Sequence, residues 1–348
     1  MSNSKKNQTG IRLLLPALLC GIFPFSLPGK AQGNVSASYL SHPQSKAFID
    51  EIVAENIYPR PALEQLLESA SKQQSILDAI ARPAEKTKSW AEYRAIFLTQ
   101  DRIDKGIDFY KQYQSAFAQA EKKYGVPRQI ILAIIGVETR YGQHKGNYRV
   151  IDSLATLAFD YPPRSPFFRE ELKQFLKLQA EAGINLSKVK GSYAGAMGYG
   201  QFISSSYRHY AVDFNNDGRI DLINTPEDAI GSVANYFKEH GWQNGAPITS
   251  VARYLQPSND KQNALSDVIN RDLKPQYTVA ELRQRGLLAD TDLDQQQKAT
   301  AMQLNGSNGV EYWIGLQNFY VITRYNHSHL YAMAVFQLSE ELKKRLNS

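Results

Sequence analysis

The chain has 348 residues, 43% of them hydrophobic and 21% charged, a balance that excludes intrinsic disorder and exceeds what one simple core usually holds. The formal charge of +6 overstates the basicity of the folded part. Lys5, Lys6, Arg12 and Lys30 stand in residues 1–31 without a single acid, so losing that segment leaves +2, too little to support a nucleic-acid partner.

That segment reads as an export signal: basic residues, an apolar run from Leu13 to Leu27, then small residues at Gly29-Lys30-Ala31. Pro16 and Pro24 interrupt the run, which falls short of the ~20 apolar residues of a spanning helix. The expected product is a periplasmic protein beginning near Gln32. A lipid anchor on Cys20, the only cysteine, is the alternative, disfavoured because Leu18 and Leu19 precede it where a lipobox has small residues. No disulfide or thiol chemistry is expected after processing.

From His42 to Tyr124 apolar residues recur at helical spacing, as in Phe48, Ile49, Ile52 and Val53. Pro127 then opens the most apolar helix, Gln129 to Val137, with Ile130, Ile131, Leu132, Ile134 and Ile135 and no polar face. Glu138 ends it, in the run GVETRYG. A carboxylate against Ile134, Ile135 and Val137 loses hydration, which raises its pKa and suits a general acid. The alternative is a solvated glutamate opposing the helix dipole.

Residues 190–202, KGSYAGAMGYGQF, place four glycines among aromatics. Either backbone approaches a ligand there, with Tyr199 and Phe202 stacking on it, or segments pack closely. No phosphate-binding ending follows. Asp213, Asn215, Asp217, Gly218 and Arg219 match the start of an EF-hand loop, with Arg219 lending only its carbonyl. Asn224 stands where the closing glutamate belongs, leaving Asp228 or Glu227 to close a calcium site. An Asx-rich turn is the plain alternative.

A helix is expected from Pro226 to about His240, then a polar, turn-rich stretch with a capping box at Thr278 and Glu281 and alternation at residues 300–304. A final helix begins near Asn326. His327 and His329 lack a third ligand for a catalytic metal, and no Gly-x-Ser-x-Gly turn marks a serine hydrolase.

GVETRYG, GSYAGAMGYGQF, AVDFNNDGRIDL, DAIGSVANYFKEHGW and ITRYNHSHLYAMAV occur in this order, and from about Trp90 onward the chain resembles the B family of membrane-bound lytic murein transglycosylases. The resemblance implies a mainly α fold. Its parts would be a helical domain at 32–115, a lysozyme-like core at 116–240 with an EF-hand-type loop at 213–228, a small β domain at 241–309, and a return to the core at 310–348. It implies Glu138 as sole acid/base, with Tyr93, Ser192, Gln201, Tyr236, Tyr325 and Asn326 holding sugar rings or supporting Glu138. Arg164 follows Pro163 where the family tends to have two arginines, so the resemblance implies one basic substrate contact, to the peptide or lactyl carboxylate, where the family has two.

The implied ligand set is Asp213, Asn215, Asp217, Arg219 and Asp228 around a structural calcium, in a loop one residue longer than the family's before Asp228. No organic cofactor is implied. The implied reaction cleaves the β-1,4 bond between N-acetylmuramic acid and N-acetylglucosamine and leaves a 1,6-anhydro end. Glycan strands are the partner of a monomer, alongside cell-wall remodelling enzymes. A hydrolytic muramidase and a non-catalytic calcium-dependent wall-binding protein are the competing classes.

Overall fold

A computed structural model describes residues 38–82, 87–255 and 264–347. The expected export signal and Cys20 lie outside them. The first half is helical: α1 (Ser45–Ala54), α2 (Arg60–Ser69), α3 (Gln74–Ile80), α4 (Trp90–Phe97), α5 (Gln100–Gln112) and α6 (Gln114–Tyr124). Local chemistry sets their ends. Ser89 and Glu92 form a capping box at the start of α4, the Thr99 side chain accepts from Arg102 N–H ahead of α5, and Gly125 at φ 70 stops α6.

Pro127, at φ −59, leads into α7 (Arg128–Thr139), in which every residue from Ile130 to Val137 is buried. Burial of its five Ile and Leu side chains stabilises the fold by roughly 1.5–3 kcal/mol each, as an upper estimate. Then follow α8 (Val150–Asp160), α9 (Ser165–Ala182), α10 (Ser204–Tyr210) and α11 (Pro226–Glu239), and near the C-terminus α13 (Gln317–Tyr325) and α14 (His329–Leu346). Helices α7 and α14 pack together, as do α8 and α9. Strands β1 (Tyr148–Arg149) and β2 (Lys190–Gly191) form a short antiparallel pair.

One apolar core runs from Tyr39 to Leu342. The N-terminal helices therefore share a core with the helices that follow, because α5 packs on both α7 and α14. Position 115 is no boundary; it falls inside α6.

The β unit is an antiparallel five-stranded sheet in the order β4–β6–β7–β3–β5, made of β3 (Thr249–Tyr254), β4 (Tyr277–Thr278), β5 (Leu287–Ala289), β6 (Lys298–Gly306) and β7 (Gly309–Gly315). Helix α12 (Val279–Gln284) follows β4 and starts at the expected Thr278–Glu281 capping box. The expected boundary at 309 is corrected to 315. Pairing runs from Gly306↔Gly309 to Thr300↔Gly315, so β7 completes a hairpin with β6. Alternation is blurred in β6 because both faces are covered: Met302 and Leu304 join the main core, whereas Ala299 and Ala301 join a second one with Leu282, Leu287 and Ile314.

Candidate functional site

Glu138 is the penultimate residue of α7, half-buried beside a buried Thr139. Arg140 and Tyr141 follow at φ 50 and 59, both left-handed without being glycine, a conformation costing of order 1–3 kcal/mol for each residue. The surroundings hold it. Arg140 N–H donates to Gly136 O (3.1 Å) and Tyr141 N–H to Ile135 O (3.2 Å), closing the helix end. Thr139 Oγ1 accepts from Gly142 N–H (2.9 Å) and lies 2.9 Å from Tyr199 O. Arg102 Nη1 donates to Gly136 O at 2.5 Å. Glu138 thus stands on a fixed helix end tied to the glycine-rich segment.

That segment folds sharply. Met197 and Phe202 exchange backbone hydrogen bonds (2.9 and 3.0 Å), Gly198 sits at φ 73, and a Cβ on Gly198 would run into Leu222 O. Close packing therefore explains this glycine. The turn presents Gln201 (φ 50) and Phe202 to a cleft lined by Glu138, Gln201, Phe202, Ile203, Ser206, Tyr236 and Tyr325. Glu138 is the one carboxylate in that lining.

The tyrosines are fixed by their hydroxyls. Tyr325 donates to Gly200 O and Tyr236 to Arg324 O, both at 2.6 Å, and the two rings meet edge-on at 4.8 Å. Burial, with the Glu138 charge adding, pushes both phenols up and keeps them neutral. Tyr331, on α14, donates its hydroxyl to Glu138 Oε1 at 2.5 Å. It was missed as a site residue. Its signal is its place on the buried face of α14 with Val335 and Leu338, where a phenol needs a partner.

Glu138, Gln201, Tyr236 and Tyr325 thus meet in one cleft, with Gln201 Nε2 donating to Gly198 O (2.9 Å) and Lys145 O (3.2 Å). Other expected residues stand outside that lining. Tyr93 is 1% exposed and packs on Phe97 at 5.1 Å, and Asn326 is equally buried just past α13, so each is placed to support rather than to meet a ring. Ser192 Oγ accepts from Ala194 and Ala196 N–H, shaping its own turn. Arg164 stacks on Phe167 and Phe168 at 4.4 and 4.8 Å. Tyr199, read as a possible sugar platform, packs instead between Phe109 and Lys145.

The 213–228 loop is laced by carboxylate–backbone bonds. Asp213 accepts from Asp217 and Gly218 N–H (3.1 and 2.8 Å), Asn215 Oδ1 from Asp217 N–H (3.0 Å) and Asp217 from Arg219 N–H (2.9 Å), with Gly218 at φ 87 in the sixth position. Asp228, fully buried, reaches back to Phe214, Asn215 and Asp221 N–H. Asn224 turns to Asp221, and Glu227 lines a groove with Tyr113, Asn215 and Asn216. Asp228 thus ties the start of the loop to Asp221. Among the described residues no three His, Cys, Asp or Glu side chains converge as a ready metal cluster. His327 and His329 make separate contacts, to Arg324 and to Asp272 O.

The family model described as "Transglycosylase SLT domain" matches residues 41–340. Membrane-bound lytic murein transglycosylase B of Escherichia coli K12 is 40% identical over 316 residues, covering 88% of this chain and 84% of the relative. Soluble lytic transglycosylase SltB1 of Pseudomonas aeruginosa has a similar structure, with a TM-score of 0.81, 49% identity and coverage of 88% of this chain and 100% of that one. The Escherichia coli lytic transglycosylase Slt35 in complex with calcium gives a TM-score of 0.79 at 41% identity, covering 88% and 95%. A mainly α fold, one acid in a tyrosine-walled cleft and these likenesses along most of the chain agree: it belongs to the transglycosylase SLT domain family, in the lytic murein transglycosylase B group.

Proposed function

We propose that the protein is a lytic transglycosylase that cleaves peptidoglycan between N-acetylmuramic acid and N-acetylglucosamine and leaves 1,6-anhydromuramic ends. The observation that carries this reading is the single carboxylate in the cleft lining. Asp152, the next acid in the chain, is bound by Arg149 and Ser71 N–H away from that lining. A double-displacement or water-activating route needs a second carboxylate facing the sugar. Intramolecular attack needs only one group that serves twice. Glu138 protonates the glycosidic oxygen, the departing sugar takes that proton, and Glu138 as base accepts the proton of the muramic 6-hydroxyl as this oxygen bonds to the anomeric carbon. Tyr325 and Gln201 flank the acid in the cleft lining, with Tyr236 backing Tyr325 edge-on.

The 213–228 loop fits a structural calcium. Asp213, Asn215, Asp217, Asp228 and the Arg219 carbonyl offer only oxygen, as a hard cation requires. Burial, with the Asp213 charge adding, holds Asp228 above the usual carboxylate range, and no basic side chain shares an ion pair with Asp213, Asp217 or Asp228 among the described residues. Bound calcium would supply the missing positive charge and tie the loop ends together. Periplasmic export, function as a monomer and action alongside other wall-remodelling enzymes complete the proposal.

The test is Glu138→Gln on purified sacculi. Turnover should fall by at least ~10²-fold, as for loss of a general acid/base, with glycan binding kept. Substantial lysis by Glu138→Gln would remove Glu138 from the mechanism.

A further inference from the structure

Tyr236 is a wall with two sides. One edge meets Tyr325 in the cleft; the ring also stacks on His240 at 4.0 Å, and Tyr210 closes on both at 4.9 and 5.0 Å. Arg324 lies beside this aromatic group. Its carbonyl is held by the Tyr236 hydroxyl, the next residue is Tyr325, and its positive charge acts on Tyr210, Tyr236, His240 and His327.

Arg324 is half-buried and forms no ion pair among the described residues. Glu239 bears on Tyr210 and His240 without reaching it as a salt-bridge partner. The group Arg324 does meet is His327 Nε2, 3.0 Å from Nη1. Arginine donates, so the imidazole accepts and is neutral on that nitrogen. Burial, reinforced by the charge of Arg324, pushes His327 down to about 4. His327 therefore steadies the guanidinium without neutralising it. Tyr320, with its ring centre 5.9 Å away, is the other neighbour. A guanidinium pinned by one neutral acceptor, among rings and short of a carboxylate, keeps donors free in a fixed planar fork.

We propose that Arg324, positioned by His327 beside the Tyr236–His240 stack, forms a subsite for a carboxylate of the peptide stem carried by the muramic residue. This deepens the proposed function and rests on it. The glycan is uncharged along its sugar rings, so a fork of this kind discriminates by what the muramic residue carries. An Arg–carboxylate pair is planar on both sides and directional, which would set the orientation of a stem-bearing strand.

Equilibrium binding tests this, with three disaccharide probes that differ only at the muramic substituent: a dipeptide with its carboxylate free, the same dipeptide amidated, and no peptide but a free lactyl carboxylate. Wild type should bind the free dipeptide about tenfold more tightly than its amide, the scale of one charge-assisted pair. Arg324→Gln should abolish that difference, Arg324→Lys should restore part of it, and each variant's melting curve checks its folding. Dependence on Arg324 for the peptide-free probe alone would assign the subsite to the lactyl group and overturn the stem assignment. Binding of all three probes without regard to carboxylate or Arg324 removes the subsite and leaves the function standing. If wild type binds none of them, the proposed function fails and the subsite with it.

Discussion

At the scale of the residue, the contact that most constrains the chemistry is the 2.5 Å hydrogen bond from Tyr331 to Glu138. The phenol fixes one carboxyl oxygen of Glu138 from a helix far along the chain. Tyr331→Phe keeps the packing on α14 and removes only that donor. Turnover should fall about tenfold or more, since a hydrogen bond to a charged group is worth ~1.5–3 kcal/mol, with KM nearly unchanged. Unchanged kcat would show that the helix end alone holds Glu138. The acid was legible because one glutamate ends an otherwise apolar helix. Its partner, 193 positions later, was not, since nothing local distinguishes Tyr331 from other aromatics packed on a helix.

At the scale of the element, the acid's helix, the glycine-rich turn and the 213–228 loop are joined end to end. Thr139 lies against Tyr199 O, Tyr199 N–H donates to Leu222 O at 3.0 Å, and Lys145 Nζ donates to Ile223 O at 2.6 Å. Asp213→Ala or Asp217→Ala should abolish the rise in melting temperature with calcium, because a ligand at 100 Kd adds ~2.7 kcal/mol to the folded state. If wild type melts identically with calcium and with chelator, the loop is an Asx-rich turn. Glycine, proline and capping residues made these elements readable in order. The end of the sheet was not readable, because the place of β7 depends on pairing with β6 and β3, a non-local contact that no local alternation reports.

At the scale of the whole molecule, the N-terminal helices and the cleft-bearing helices share one continuous core, while the sheet buries a second cluster of its own. Residues 38–124 should therefore melt together with the cleft rather than as a separate domain. Hydrogen exchange on heating should show α5, α7 and α14 losing protection in one step, and earlier loss confined to α1–α6 would contradict a shared core. Sequence periodicity gave the helices but not this merger, since apolar stripes do not state which stripes meet.

In the proposed reaction one carboxylate serves as acid and base while the muramic 6-hydroxyl, not water, takes the anomeric carbon. Mass spectrometry of the products released from purified sacculi tests it most directly. The products should carry 1,6-anhydromuramic ends, one water lighter than the hydrolysis product. Reducing-end muramic acid as the main product would show that water is the acceptor and that the protein is a lysozyme-type hydrolase.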